Sequence, residues 1–402
     1  MDSTTLPAKK FPVVTSGTVL LHIDFALTGI VMTFLGPMLP SLSVRWSLND
    51  AQLGALIFAE FFSAMFAMLI SGLVVGRIGY RLTLIVGLLL MACGMILLVF
   101  GPWLMGVAAI CIFGAGYGIT TPAGNLRTAE INPENSASAL NVLNAVWGLG
   151  AMSSPFLVAL ALKRHRPDLF FLGTAAALLA LMSLMAVSRF VPDTRAEVDS
   201  PNVRAKVWTV RILPLICAVF FFYVGVETCF GNWVATYARR LSPENLALDI
   251  ITPSFFWGAL LLGRALAPFV LRSCRETKLA SMGLALALVG GIGLVSAGGV
   301  KLIDVSSVLA GLGLASIYPI SVSLLRRWLG EATRRASGVV FSSGNVGGAV
   351  LPWMLGVVST YSGSLRLAFL VPLLGVLLLL LFYLRQSSEP GSGQLSSRVA
   401  AE

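Results

Sequence analysis

Three carboxylates and one guanidinium lie inside long apolar runs of this 402-residue chain: Asp24, Glu60, Glu227 and Arg264. A charge at the centre of a hydrocarbon layer costs about 2.5–3.5 kcal/mol on insertion scales, so such residues face a cavity, pair, or are held neutral. One arginine neutralises one acid directly. The surplus acids must then take up a proton, bind a cation or stay hydrated. Tyr223 and Gly231 stand four residues either side of Glu227 and share its helical face. Trp257 stands two turns before Arg264 on one face. Glu227 and Arg264 are expected within pairing distance across adjacent helices, as a working site or as a static structural pair. Asp24 reads as an ion-binding acid or as a side chain snorkelling to the nearer interface. Glu60 reads as a second such acid or as a group facing water in a cavity.

A second constellation is made of amides. Asn141, Asn144 and Gly148 fall at spacings of three and four, on one helical stripe, with Trp147 at its edge. An amide donates and accepts at once, which suits a hydroxyl-rich solute, and an aromatic face covers the apolar side of a sugar ring. Asn345, Trp257, Tyr318 and Tyr223 join Glu227 as further candidate contacts for a small polar solute. The competing reading of the amides is polar adhesion between helices. Trp233 and Tyr237 read either with the solute or as aromatics anchored at the membrane interface.

Stepping out to the elements that must hold these residues, the chain is 57% hydrophobic and 11% charged, against about 25% charged in soluble domains. It is expected to be an all-α membrane protein. Twelve apolar segments are read, at about 17–39, 51–75, 82–100, 103–126, 137–162, 169–189, 210–238, 251–271, 279–300, 304–325, 334–361 and 365–385. They divide into an N-terminal six-helix bundle (1–189), a polar cytoplasmic linker (190–209), a C-terminal six-helix bundle (210–385) and a disordered tail (386–402). There is no Gly-Lys for a phosphate loop, no Gly-x-Ser-x-Gly, no His-Glu-x-x-His and no Cys-x-x-Cys. No enzyme, cofactor or metal site is expected, and the charge of +10 reads as loop charge rather than affinity for nucleic acid. With both termini in the cytoplasm, nineteen Lys and Arg fall inside and eight outside, which supports a multi-pass cell-membrane protein in that orientation.

The halves repeat. A shift of 197 residues carries Gly114 onto Gly311, Gly116 onto Gly313, Pro122 onto Pro319, Gly150 onto Gly347 and Pro155 onto Pro352. Duplicated six-helix halves are the build of a secondary transporter, with its site between them near the midplane.

The loop Gly72-Leu-Val-Val-Gly76-Arg77-Ile-Gly79-Tyr80-Arg81 resembles the Gly-x-x-x-Asp-Arg-x-Gly-Arg-Arg signature of the major facilitator superfamily. The run Val191-Pro192-Asp193-Thr194-Arg195 is similar to that superfamily's exit from helix six. Two further stretches resemble its fucose–galactose–glucose symporter branch. One runs from Asn125 and Glu130 through Asn132-Pro133-Glu134 to Asn141, Asn144 and Trp147-Gly148; the other is Tyr223 to Trp233 with Tyr237. The resemblance implies alternating access, with Gly72, Arg77, Gly79 and Arg81 in conformational gating. It implies a monosaccharide cargo, and a monomer whose partners are its solute and the bilayer; the surplus intramembrane acids, whatever the ancestry, point to H⁺ or Na⁺ as the driving ion. The other cargo reading is export of apolar, drug-like or lipid-like solutes, and the other energetic one is uniport. The sequence also departs from the pattern. Gly76 stands where the superfamily has Asp, Thr121 where the sugar permeases have a helix-four Glu, and their helix-one Asp falls near Thr33 or Gly36 rather than at Asp24. Proton coupling is therefore not inherited with the resemblance.

Overall fold

The structure, a computed structural model, describes residues 16–188, 212–242, 246–329 and 333–388. Among these every regular element is a helix. The expected linker 190–209 and the tail from 389 onward lie outside the described residues. Twelve spans result. Span 1 is the bent pair Ser16–Thr33 and Leu35–Trp46. Spans 2 and 3 run together as Asp50–Phe100. Spans 4, 5 and 6 are Trp103–Ile131, Ser136–Lys163 and Pro167–Val187. Spans 7, 8 and 9 are Leu213–Leu241, Leu246–Val270 and Glu276–Ser296. Span 10 is Val300–Leu314 continued by Ile317–Leu329. Span 11 is Thr333–Ser362, and span 12 is Leu365–Ala368 continued by Leu370–Ser388. Twelve crossings put residues 16 and 388 on one face, called here the terminal face, and the loops after spans 1, 3, 5, 7, 9 and 11 on the far face.

The breaks have local causes. A straight 51-residue helix would be about 77 Å long, against a hydrocarbon core of about 30 Å. Gly79 divides it, at φ 77° and ψ 169°, a left-handed conformation that glycine adopts without a Cβ penalty. Span 1 bends by 41° between Thr33 and Leu35. Pro37 lacks the N–H that would bond the Thr33 carbonyl, and its ring crowds that turn. Pro319 stands in the same relation to Ala315, where span 10 is interrupted. Span 1 also runs on to Trp46, beyond the expected end near 39, because the bend lets a second apolar stretch continue.

The 197-residue repeat is visible as matched close approaches. A Cβ on Gly114 would strike the backbone oxygen of Glu60 in span 2, and one on Gly311 that of Phe256 in span 8. Gly116 meets the Gly87 oxygen of span 3, and Gly313 the Gly283 oxygen of span 9. Gly150 meets Ala26 of span 1, and Gly347 meets Phe221 of span 7. Small residues let membrane helices approach this closely, and each pair keeps its role in its own half. Packing follows the same rule: span 1 lies on span 5 as span 7 lies on span 11, and span 3 on span 6 as span 9 on span 12. Across the halves, span 5 packs on span 8 and span 11 on span 2. Large apolar side chains such as Phe66, Leu69, Leu73, Leu262 and Met282 remain exposed on the outside, as hydrocarbon rather than water requires.

Candidate functional site

Span 7 turns Tyr223 and Glu227 to one face, one turn apart, and span 8 brings Arg264 to meet them. Arg264 Nη2 donates to the Tyr223 hydroxyl at 3.1 Å and to Glu227 Oε1 at 3.2 Å. The side chains of Arg264 and Glu227 are 28% and 12% exposed, so the pair is open to a solute on one side. Arg264 Nε is left without a hydrogen bond, as is the indole N–H of Trp257 two turns away. Unused buried donors of this kind are costly unless something else fills them. Tyr318 of span 10 leans on Tyr223 with ring centroids 5.8 Å apart, and Phe220 and Phe341 complete an aromatic wall.

The first half faces this cluster with its own aromatics. Trp147 of span 5 meets Trp257 of span 8 edge-on, with centroids 5.9 Å apart. Tyr117 of span 4 lies within electrostatic reach of Glu60, Glu227 and Tyr318. Tyr117 escaped the sequence reading, because a lone tyrosine in a Gly-rich run carries no spacing signal. The amide stripe points at the other half: Gly148 packs on Leu261 and Met152 lies against Gly258, both residues of span 8. Asn141 and Asn144, one to two turns nearer the terminal face, are exposed, so the halves part there. The Asn144 amide donates to the Leu140 carbonyl of its own helix at 2.8 Å. Asn345 of span 11 donates to its own Phe341 carbonyl at 3.1 Å and lies 3.7 Å from Met68 Sδ of span 2. The structure thus gathers Tyr223, Glu227, Trp257, Arg264, Tyr318 and Trp147, and leaves Asn141, Asn144 and Asn345 on surfaces between the halves without joining them to the ion pair.

At four residues one of the two readings is set aside. Asp24 does not snorkel: it is fully buried, and neither carboxylate oxygen has a hydrogen bond. Span 1 starts at Ser16, so Asp24 lies more than two turns inside it. Glu60 does not face water; it too is fully buried with both oxygens unbonded, because Gly114 draws span 4 onto its backbone. Trp233 and Tyr237 are not interfacial. Trp233 is fully buried and donates to the Pro352 carbonyl at 3.1 Å, while the Tyr237 hydroxyl donates to the Leu294 carbonyl at 3.1 Å.

The gating residues sit at the terminal face. Gly79 makes the turn, Gly72 and Arg77 are exposed, and Arg81 donates from Nε to the Met185 carbonyl at 3.0 Å and from Nη2 to Ala186, at the end of span 6. Beside them Glu130 accepts from the Tyr80 hydroxyl at 2.5 Å and from Arg127 at 3.2 Å, tying span 3 to span 4 within one half.

The far face is different. A Cβ on Gly36 of span 1 would lie 2.6 Å from Asn232 Cα of span 7, and one on Gly54 of span 2 would lie 2.9 Å from Trp353 Cα of span 11. The halves therefore touch backbone to backbone on the far side and separate toward the terminal face, with the Arg264 cluster between.

Three comparisons with known proteins bear on the family and the fold. The sequence profile of the Major Facilitator Superfamily matches residues 23–303. A glucose/galactose transporter of Brucella abortus is 25% identical, over 92% of this chain and 96% of its own. Among solved structures, the transporter FucP in its outward conformation is 20% identical with a TM-score of 0.65, over 93% of this chain and 99% of that one. The nucleoside transporter NupG is 13% identical with a TM-score of 0.76, over 93% and 98%.

Proposed function

The chain belongs to the Major Facilitator Superfamily and is a multi-pass membrane transporter, not an enzyme; we propose that its cargo is a monosaccharide, moved by alternating access. The observation that carries this reading is the Tyr223–Arg264–Glu227 cluster, lying between the halves with an indole pair across from it. The partly exposed guanidinium of Arg264 and carboxylate of Glu227 offer donors and acceptors to sugar hydroxyls, while Trp147 and Trp257 cover the ring's C–H face. The full-length similarity to a glucose/galactose transporter supports the same cargo class. Asn141 and Asn144 extend the polar lining toward the terminal face.

Coupling is assigned to the buried acids. Among the described residues Asp24 and Glu60 have no hydrogen-bond partner, and burying a carboxylate without one disfavours its charged form. A neutral buried acid needs only a proton, whereas Na⁺ would need several oxygen ligands around it, so the reading is of proton coupling. The two halves are 1–189 and 210–385, joined by the linker 190–209. Both termini are cytoplasmic in the plasma membrane, and the monomer is the working unit because one chain builds the whole site.

The test is uptake by the purified protein in proteoliposomes. Labelled glucose, galactose, mannose and fucose are compared with a nucleoside and an apolar dye, under an imposed pH gradient, an Na⁺ gradient or none. Saturable hexose accumulation driven by the pH gradient is expected. Glu60→Gln should abolish accumulation while leaving sugar exchange. Transport of the nucleoside or dye without any hexose would overturn the cargo assignment. Equal hexose flux with and without gradients would leave a uniporter.

A further inference from the structure

Span 8 carries two stripes of large side chains. Trp257 and Arg264 face the site described above. Phe255 and Leu262 precede them by two residues each, and two residues turn a helix by about 200°, so they stand on the opposite face. There, with Met152 and Phe156 of span 5 and Val308 of span 10, they line a crevice of about 450 Å³. Span 5 repeats the relation: at about 100° per residue, Met152 and Phe156 lie about 140° and 180° round from Trp147. The crevice is thus turned away from the Arg264 cluster and walled by both halves. Phe156, Phe255 and Leu262 remain exposed at its mouth. Ser254 is the one polar side chain in the lining, buried with its Oγ unbonded. A trapped water needs about 2–4 polar partners, more than Ser254 supplies. An empty crevice forfeits dispersion contacts along its walls. Hydrocarbon fills it without either cost.

The same stripes lead to cations. Lys163 follows Phe156 by seven residues on span 5, and Lys301 precedes Val308 by seven on span 10. Seven residues are two turns, so each lysine shares a face with a crevice residue and stands about 10 Å nearer the far face. Arg164 adjoins Lys163. Basic residues on this side run against the bias of the other loops, and most of them are engaged. Arg45 donates to the Leu98 and Val99 carbonyls at 2.8 and 2.7 Å, and Arg366 donates to the Ala297 carbonyl. Arg166 pairs with Asp168 at 2.8 Å and Arg239 with Asp249 at 3.8 Å. Arg240 reaches Asp50 of the other half, Nη1 donating to Oδ2 at 2.8 Å. Lys163, Arg164 and Lys301 are exposed and make no ion pair among the described residues. Asp304, one turn from Lys301, accepts instead from Thr252 of span 8 at 2.8 Å.

We propose that this crevice is the binding site of an anionic phospholipid of the far leaflet: one acyl chain fills the apolar crevice, and Lys163, Arg164 and Lys301 hold the headgroup phosphate. Lys163 belongs to the first half and Lys301 to the second, so a single lipid bridges the seam where span 5 meets span 8. A phosphate accepts charge-assisted hydrogen bonds from all three, and basic clusters beside membrane spans attract anionic lipid. A zwitterionic lipid brings its own cation to the phosphate and gains less. An apolar solute would fill the crevice and leave the three cations unanswered. The inference rests on the membrane-spanning fold, and on neither the cargo nor its coupling ion.

The full-length protein, purified in detergent, is offered equal amounts of dioleoyl phosphatidylglycerol and dioleoyl phosphatidylcholine and read by native mass spectrometry. One phosphatidylglycerol should be retained per chain, in preference to phosphatidylcholine by about tenfold or more. Lys163→Gln with Arg164→Gln and Lys301→Gln should abolish the preference. Val308→Trp fills the crevice and leaves the cations in place, and it should abolish retention of either lipid. Equal retention of both lipids by the wild type, or of neither, overturns the proposal. So does phosphatidylglycerol held undiminished by Val308→Trp, which would mean surface charge alone. If that variant does not fold, phosphatidylglycerol carrying a diazirine on its acyl chain decides with the wild type. Crosslinks concentrated at 152–156 and 254–262 are expected, and crosslinks spread over the other lipid-facing spans reject the site. An apolar dye that displaces the lipid and is itself transported would assign the crevice to cargo and overturn the proposal as well.

Discussion

Glu227 and Arg264 are bound to each other in an arrangement that makes a half-buried guanidinium tolerable: a carboxylate and a hydroxyl on the same nitrogen, with part of the pair exposed. Removing the acid alone strands the cation, whereas removing both does not. Glu227→Gln should therefore lower hexose affinity by about 10- to 100-fold, the equivalent of a charged hydrogen bond of ~1.5–3 kcal/mol, measured by equilibrium binding. The double variant with Arg264→Gln should regain thermal stability. It should not regain accumulation, and if it does, the pair is structural and the site lies elsewhere. The amides should differ from each other. Asn144 already donates to its own helix, so Asn144→Ala should cost little. Asn141→Ala should weaken binding by about 0.5–1.5 kcal/mol, one hydrogen bond. Equal, negligible losses in both would place the stripe with helix–helix adhesion.

At the scale of the element, glycine decides how near two helices come. Gly150 and Gly347 hold equivalent crossings in the two halves, each against a carbonyl of the first span of its own bundle. Gly150→Val and Gly347→Val should each destabilise by about 1–3 kcal/mol or more, as overpacked sites do, and to a similar extent. Gly173 in span 6 has nothing within 4 Å of its would-be Cβ, so Gly173→Ala should be neutral or stabilising in a helix. Detergent melting curves of the three variants test this. A large loss at Gly150 with none at Gly347 would mean that the repeat does not extend to packing.

For the whole molecule, asymmetry between the faces matters more than the symmetry between the halves. The halves touch at Gly36, Gly54 and Asp50 on the far face, and they part around Asn141 and Asn144. In the proposed orientation, with the termini in the cytoplasm, the opening toward the terminal face is an opening inward. Orientation is checked by labelling a cysteine placed at Arg164, in the far-face loop after span 5, with a membrane-impermeant maleimide. Intact cells should label it, and a tag after residue 388 should react only in broken ones. The reverse pattern would invert the assignment and make the captured state outward-open.

Much of this was legible in the residues taken in order. Apolar run lengths fixed the spans, because each must cross about 30 Å of hydrocarbon as a helix. The repeat of Gly114, Gly116 and Gly150 at 311, 313 and 347 announced two halves, because close approach leaves room for no side chain. Glu227 and Arg264 could be paired because both stand near the middle of adjacent spans and a cation inside the bilayer needs an anion. What the sequence left open is whatever depends on which face of a helix meets another chain segment far away. Asp24 and Glu60 carry the same letter-level signal whether they reach water or not, and only the packing of spans 1, 2 and 4 made them dry. Trp233 and Tyr237 look like interface anchors until span 11 and the end of span 9 cover them. Asp50 and Arg240 are 190 residues apart and read as ordinary helix-end charges. Their pairing exists only because the two halves close on one face, a long-range arrangement that no local spacing encodes.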